Sequence, residues 1–412
     1  AIAAIELLDD GDRRRDAAAI AEAAITSNPG DPRLHEYAGM LALQLGEFER
    51  ARQHYLFALA HDPRAYEWHV PIGLAATLHY SDSAHPDFVR FREGLEHGDL
   101  SELARAELHF SLGKASDDVG RFGDAAEHFR RGNAIRRRLT KWPRKAWRRA
   151  VGSRLASRPG STAAPVADFT PVFIVGMPRT GTTLLAELLS RYPSVCNRGE
   201  LTWLGRLAQR PELNGASDPE TLQRAASTYA SQSRQDDAAG ERWFIDKQPL
   251  NFRYIDLALA LFPDAKIIHC RRGARDTALS LWMQCFLEDE QSYAYDFGDI
   301  ALVLRDEERL MTHWQAQYPA SIRTLRYEEL VAAPRNTVVA LAEWIGLSPC
   351  SSREAGIPVI PESAISTASL WQARQPIHAH SVGRWQHYAR YVPELLKLPG
   401  SRLDARFPGG NG

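Results

Sequence analysis

Hydrophobic and polar positions follow two different rhythms along the chain. Up to about residue 135, apolar residues recur at helical spacing in successive pairs of stretches. From residue 171, short apolar runs alternate with helical patterns. "PVFIV" (171–175) is β-branched and short, as a fully buried parallel strand should be. The second rhythm predicts strand 171–175, helix 182–191, strand 242–246, helix 252–262, strand 266–270 and helix 276–287. A long helix near 299–315, strand 322–326 and helix 335–345 follow. Strand and helix in alternation predict an α/β fold with a parallel sheet covered on both faces.

The first rhythm has a period. Pro29 and Pro63 stand 34 residues apart, as do Ala17 and Ala51, and Ala24 and Ala58. The unit is fullest in "DPRLHEYAGMLALQLGEFERARQHYLFALAHDP", with Gly39, Gly46, Phe48, Ala51, Tyr55, Ala58 and Pro63. These are the positions that a tetratricopeptide repeat prefers, and the stretch resembles one. Gly73 falls one period after Gly39, although the second half of that copy is degenerate. "AELHFSLGKASDDVGRFGDAAEHFRRGNA" recovers Leu112, Gly113, Gly120, Phe122, Ala125 and Phe129. The resemblance implies an all-α repeat domain over residues 1–150, a linker over 151–170 and a second domain over 171–412. Repeat arrays hold peptides or docking partners and do no chemistry of their own, so a protein partner and a homodimer contact are both open.

Charge alters this picture locally. The whole chain carries a net charge of −1, which leaves no long-range pull toward nucleic acid or an anionic membrane. Yet residues 130 to 158 hold twelve Lys and Arg and neither Asp nor Glu. Such a segment is either a strong local field for an acidic partner or a solvated capping helix. Four cysteines, Cys196, Cys270, Cys285 and Cys350, stand far apart without metal-ligand spacing, which predicts reduced thiols in a cytoplasmic protein. The opening "AIAAIELLDDGDRRRD" lacks a signal-peptide pattern, and the longest apolar run, "IDLALALF", is too short to span a bilayer.

The candidate chemistry begins where the first strand ends. Gly176, Met177, Pro178, Arg179, Thr180, Gly181, Thr182 and Thr183 form a glycine-bearing turn that runs into a helix. A strand, such a turn and a helix N-terminus aim backbone N–H groups at one point, and that point suits an oxyanion. Against the triphosphate-loop pattern GxxxxGK[ST], Thr182 replaces the lysine that reaches the outer phosphates. This makes a nucleotide kinase a poor reading and a single terminal phosphate, held by the Arg179 fork, a better one.

"PRTGTTLL" resembles the 5′-phosphosulfate-binding loop of sulfotransferases, whose donor is 3′-phosphoadenosine-5′-phosphosulfate (PAPS). The same family binds the donor's 3′-phosphate with an arginine and, eight residues on, a serine. "AKIIHCRRGARDTALSLWMQCF" supplies both as Arg272 and Ser280. The closer likeness is to the tyrosylprotein sulfotransferase-like branch. It implies Glu200 as general base, Lys247 in "DKQP" as a catalytic lysine and Tyr327 in "RYEEL" near the adenosine. It further implies that Ser381, Gly383 and Arg384 in "AHSVGRWQHY" bind the donor, with Ser381 at the reacting oxygens. Arg179, Thr180, Gly181, Thr182 and Thr183 would hold the 5′-phosphate. Gln284 departs from the pattern, standing where that branch has a further basic residue.

The resemblance implies a P-loop-like sulfotransferase domain that moves a sulfuryl group from PAPS to a hydroxyl without a metal, releasing adenosine 3′,5′-bisphosphate (PAP). The acceptor would be a peptide or protein, with tyrosine in an acidic sequence suiting both the branch and the basic segment, or a small hydroxyl compound. A repeat-based docking protein with an inactive phosphonucleotide fold is the rival reading. Plainer readings also stand for single residues. Lys247 could simply pair with Asp246, His269 reads as a satisfied core histidine, and Trp282 reads as core. His378, His380 and His387 lack the carboxylate or cysteine support of a metal site.

Overall fold

The computed structural model describes residues 1–11, 13–213, 218–235, 240–286, 289–347, 377 and 379–398. Cys350 and His378 lie outside the described residues. The helical region contains α1 (Ile2–Asp10), α2 (Arg14–Ser27), α3 (Pro32–Leu45), α4 (Phe48–His61), α5 (Val70–Ala76), α6 (Pro86–Glu96), α7 (Glu102–Asp118), α8 (Phe122–Leu139) and α9 (Arg144–Leu155). The α/β part contains β1 (Thr170–Gly176), α10 (Thr182–Leu189), β2 (Val195–Asn197), α11 (Trp203–Leu207), α12 (Pro219–Ser233), β3 (Trp243–Asp246), α13 (Ile255–Leu261), β4 (Lys266–Arg271), α14 (Ala274–Trp282), α15 (Phe297–Gln317), β5 (Ile322–Arg326), α16 (Tyr327–Ala332) and α17 (Pro334–Ile345).

Small residues let the helices of the first region pair closely. A Cβ on Gly39 would lie 2.9 Å from the Tyr55 ring, and one on Gly73 would lie 2.4 Å from its far end. The Tyr55 ring thus binds α3, α4 and α5 into one layer. Phe129 does the same for α7 and α8, with Gly113 leaving only 2.7 Å beneath it. Ser101 caps α7 through the Ala104 N–H at 3.1 Å, and Asp31 caps α3.

Two histidine pairs sit at matching places in these layers. The Nδ1 atoms of His35 and His54 are 2.9 Å apart, and those of His109 and His128 are 3.1 Å apart. One nitrogen of each pair must donate and the other accept, so both rings cannot be charged without losing the bond. Burial lowers His54 and His128, and pushes His109 down to about 4. A pKa depressed in the folded state means that the unfolded chain takes up protons first as pH falls. Stability is therefore complete above the ordinary histidine value of about 6.5 and is lost as pH falls toward the folded values. Thermal melting between pH 7 and pH 4 is expected to show a flatter decline in the His109→Gln, His128→Gln double variant than in the parent; equal slopes would refute this account.

The five strands form one parallel sheet in the order β2-β3-β1-β4-β5. Val172 pairs with Ile245 and Ile174 with Ile268, which makes β1 the buried centre. Val172, Ile174 and Ile268 pack with α10 and α17 through Leu185, Leu189, Leu341 and Ile345. Phe173, Val175 and Ile267 join the other layer, with Tyr229, Leu261 and Trp314. That second core continues into the helical region. The Phe129 and Trp282 rings lie 5.9 Å apart, and the Asn133 amide donates to the Trp282 carbonyl at 2.8 Å. Trp147 of α9 donates its indole N–H to Asp306 of α15 at 3.0 Å. Each aromatic so buried contributes about 1.5–3 kcal/mol to holding the two parts together.

Several expectations need correction. The helix expected over 252–262 is a 3₁₀ stretch, Pro249–Tyr254, followed by α13. The helix expected to reach residue 287 ends at Trp282, and α9 runs to Leu155, inside the expected linker. The linker is also tied down, with the Ala163 N–H donating to Ala260 at 2.8 Å. The basic segment is no unopposed field. Arg130 pairs with Glu394, Arg137 with Asp296, Arg138 with Glu102, Arg144 with Asp299 and Arg154 with Asp256. Lys141, Lys145, Arg148, Arg149 and Arg158 remain exposed.

Candidate functional site

The chain turns sharply where β1 meets α10. Gly176 has φ 140° and Gly181 has φ 88°. A Cβ on Gly181 would stand 2.6 Å from the Tyr327 ring, so that ring closes the back of the loop. Arg179, between the two glycines, adopts φ 72°, a backbone state that a non-glycine residue holds only when its surroundings impose it. Thr180 donates its hydroxyl to the Met177 carbonyl at 2.7 Å, and Arg179 Nε donates to Ser280 Oγ at 3.0 Å.

Arg272 follows β4 and completes the group. Its Nη1 donates to the Arg179 carbonyl at 3.1 Å, its Nη2 donates to the Ser381 carbonyl, and its guanidinium lies 4.9 Å above the Tyr327 ring. Its Nε is buried with no hydrogen-bond partner. Burial pulls Arg179 down to about 10, aided by repulsion from Arg272 and Arg384. Three guanidinium groups are thus held within range of one another at an energetic cost that a bound oxyanion would remove.

The second constellation follows β3. Lys247 is 3% exposed, and its ammonium donates to Glu200 Oε1; Glu200 itself is 31% exposed. The Lys247 N–H donates to the Gly199 carbonyl at 2.8 Å, which fixes the two segments together. The plainer reading of Lys247, a pair with Asp246, is not what the structure shows. Asp246 accepts from the Tyr229 hydroxyl at 2.6 Å and from Asn251 at 3.2 Å, and burial pushes its carboxyl up to about 7.

Residues 379–398 return to the site. The Gly383 and Trp385 N–H groups donate to Asp276 at 2.7 and 2.9 Å. Arg384 pairs with Asp117 of α7, whose other oxygen accepts from the Tyr388 hydroxyl at 2.6 Å. The helical region therefore grips the residue that sequence likeness assigns to the donor. Nothing in the sequence pointed to Asp117, since the contact spans 267 positions.

A cavity of about 540 Å³ joins these parts. Arg179, Thr182, Thr183, Glu200, Arg272, Ser280, Ser381 and Arg384 form one side of it. Gln284 is on its surface as well, where a cation was expected by likeness. Gly181, Lys247, Tyr327 and Gly383 form the layer behind that surface rather than the surface itself. Thr180 and Arg272 border a second hollow of about 380 Å³ together with Arg271, Arg305 and Arg326. His269 bonds Glu307 in the core and the His387 ring stacks 4.8 Å from Phe122, so neither serves the site. Among the described residues no group of three or more His, Cys, Asp or Glu is arranged to hold a metal, and no helix is long and apolar enough to cross a membrane.

Residues 171–350 match the model of the sulfotransferase family, so this stretch is a sulfotransferase family domain. An uncharacterised protein of Aquifex aeolicus is 30% identical over 245 residues, which is 55% of this chain and 32% of that protein. Nodulation protein NoeE of Sinorhizobium fredii is 27% identical over 227 residues, 45% of this chain and 52% of that protein. The chain thus aligns with about a third and about half of these two relatives. The sulfotransferase domain of the Synechococcus PCC 7002 olefin synthase is 21% identical with a TM-score of 0.40, covering 55% of this chain and 88% of that one. The sulfotransferase domain of the curacin biosynthetic pathway is 18% identical with a TM-score of 0.39, covering 59% of this chain and 100% of that one.

Proposed function

We propose, from the sulfotransferase family domain at 171–350, that the protein transfers a sulfuryl group from PAPS to an acceptor hydroxyl. The observation that carries this reading is the gathering of Arg179, Arg272 and Arg384 around one glycine loop against their mutual repulsion. A donor with phosphate groups at two ends answers that arrangement. Arg179 and the N–H groups of the loop up to Thr183 take the 5′ side, and Arg272 with Ser280 takes the 3′-phosphate.

The donor supplies an activated sulfuryl group, and the chain's own residues do the rest. Glu200 takes the proton of the acceptor hydroxyl as the new oxygen–sulfur bond forms and the bond from sulfur to the 5′-phosphate oxygen breaks. Lys247, held against Glu200 in the resting site, offsets the charge that develops on the departing phosphate, which leaves as PAP. Ser381 adds a hydrogen bond at the same oxygens, Tyr327 and Gly383 back the donor, and Arg384 is oriented by Asp117. The Glu200–Lys247 contact favours this reading over an inactive docking fold. We read the α3–α4 and α7–α8 pairs as tetratricopeptide repeats, supported by the recurring glycine-on-aromatic contacts. Their role is to wall the acceptor side of the cavity.

Calorimetric titration with PAP tests the donor site. Arg272→Ala is expected to weaken PAP by about 10- to 100-fold, the worth of charge-assisted hydrogen bonds to one phosphate. ATP with magnesium should bind far more weakly than PAP to the parent. A folded parent that takes up no PAP would end the transferase reading.

A further inference from the structure

The side of the cavity facing the loop is built by the helical region, and its charges are already matched. Glu36 faces Arg33 at 3.1 Å, and His69 is bonded to Glu107 at 2.5 Å. Lys114 and His79 both reach Asp118, at 2.5 and 3.0 Å, and Asp117 holds Arg384. Every cation on that wall thus has its carboxylate. The arginines of residues 130–154 that could have drawn an acidic partner are bonded elsewhere, to Glu102, Asp256, Asp296, Asp299 and Glu394.

Two polar atoms on the cavity surface lack partners. Gln44 Oε1 of α3 and Gln291 Oε1, in the 3₁₀ stretch Asp289–Tyr295, are buried without a hydrogen bond. Burial also pushes Glu36 up to about 7, so near neutral pH its carboxyl is partly an uncharged hydrogen-bonding group. Around them the surface is apolar, with Met40, Leu43, Ile72, Leu279 and Phe286. An acidic acceptor finds no unmatched cation here. A cationic one meets Arg179 and Arg272 across the gap, and finds the wall carboxylates spent. Because the 540 Å³ must also receive the phosphosulfate end of the donor, the remaining space suits a residue-sized group.

We infer that the inner face of α3 and α5 is the acceptor subsite, and that it takes an uncharged hydroxyl compound with an apolar body and hydrogen-bond donors that meet Gln44 and Gln291. This rests on the sulfuryl-transfer reading, and it departs from the acidic tyrosine peptide that the basic segment suggested in sequence.

The full chain with PAPS is assayed for PAP release using acceptors that differ in charge. N-acetyltyrosinamide and 2-naphthol are the uncharged probes, and the peptide Glu-Glu-Tyr-Glu-Glu is the acidic one. The expected result is a kcat/KM at least tenfold higher for an uncharged probe. Gln44→Ala and Gln291→Ala should each raise its KM about fivefold while PAP affinity stays unchanged. The subsite assignment is overturned if the acidic peptide is used as well or better, if neither glutamine variant moves KM, or if PAP binds but no uncharged probe reacts. Absence of PAP binding to the folded parent instead removes the donor reading, and the subsite falls with it.

Discussion

Lys247→Met is expected to slow sulfuryl transfer about a thousandfold while PAP affinity stays within about twofold, as loss of one transition-state donor in a dry site does elsewhere. The residue is 3% exposed, so water cannot replace the missing ammonium during the reaction. Its resting contact with Glu200 predicts a second signature. Glu200→Gln should lower kcat by about 10²–10⁴ as the proton acceptor is lost. Because the two side chains act as a pair, the double variant should be little worse than the poorer single one. Single-turnover kinetics at saturating PAPS separate this from a donor-binding defect. Full activity in Lys247→Met would assign the lysine to fold maintenance alone.

Gly176→Ala has the largest expected effect on stability. A Cβ at that position would stand 2.2 Å from the Cys270 carbonyl oxygen, a backbone atom of the neighbouring strand, and φ is 140°. Neither atom can turn aside as a side-chain end would, so β1 and β4 must separate or the loop must refold. The cost is expected to be about 3 kcal/mol or more, combining overpacking with backbone strain. Calorimetry should show the transition of the α/β part lowered by about 6 °C or more. Gly160→Ala serves as the control, since a Cβ there meets nothing within 4 Å. Equal melting of the two variants would show that the strand junction yields more easily than its geometry implies.

What could be read from sequence follows the length scale of each feature. β1 and the loop were legible because five β-branched or apolar residues run straight into two glycines. β2 is three residues long, too short to carry an alternation, and was missed. The helix α12 was also missed, because its buried stripe is mostly Ala225, Ala226 and Ala230. Its signals were present all the same, with Asp218 capping Thr221 and Pro219 opening the first turn. The site divides in the same way. Arg179, Arg272 and Ser280 come together as the two strand-exit motifs implied, because parallel neighbours place their ends side by side. Asp117, Gln44 and Gln291 carry no local motif, and only packing between the helical region and the sheet brings them to the cavity. The basic segment misled for a related reason. Its counter-charges lie as far off as Glu394, 264 positions along the chain from Arg130.

The return of residues 379–398 to the helical region bears on how the chain comes together during synthesis. Asp117, Phe122 and Arg130 leave the ribosome long before Arg384, Tyr388, His387 and Glu394 exist to cover them. The repeat layers can pair locally and fast, but the outer surface of α7 and α8 stays uncovered until translation has passed the whole sheet. Arg384 reaches its place only when that late segment docks. A nascent chain stalled anywhere between β1 and residue 379 would hold a formed glycine loop without its third arginine, so the donor site is finished last.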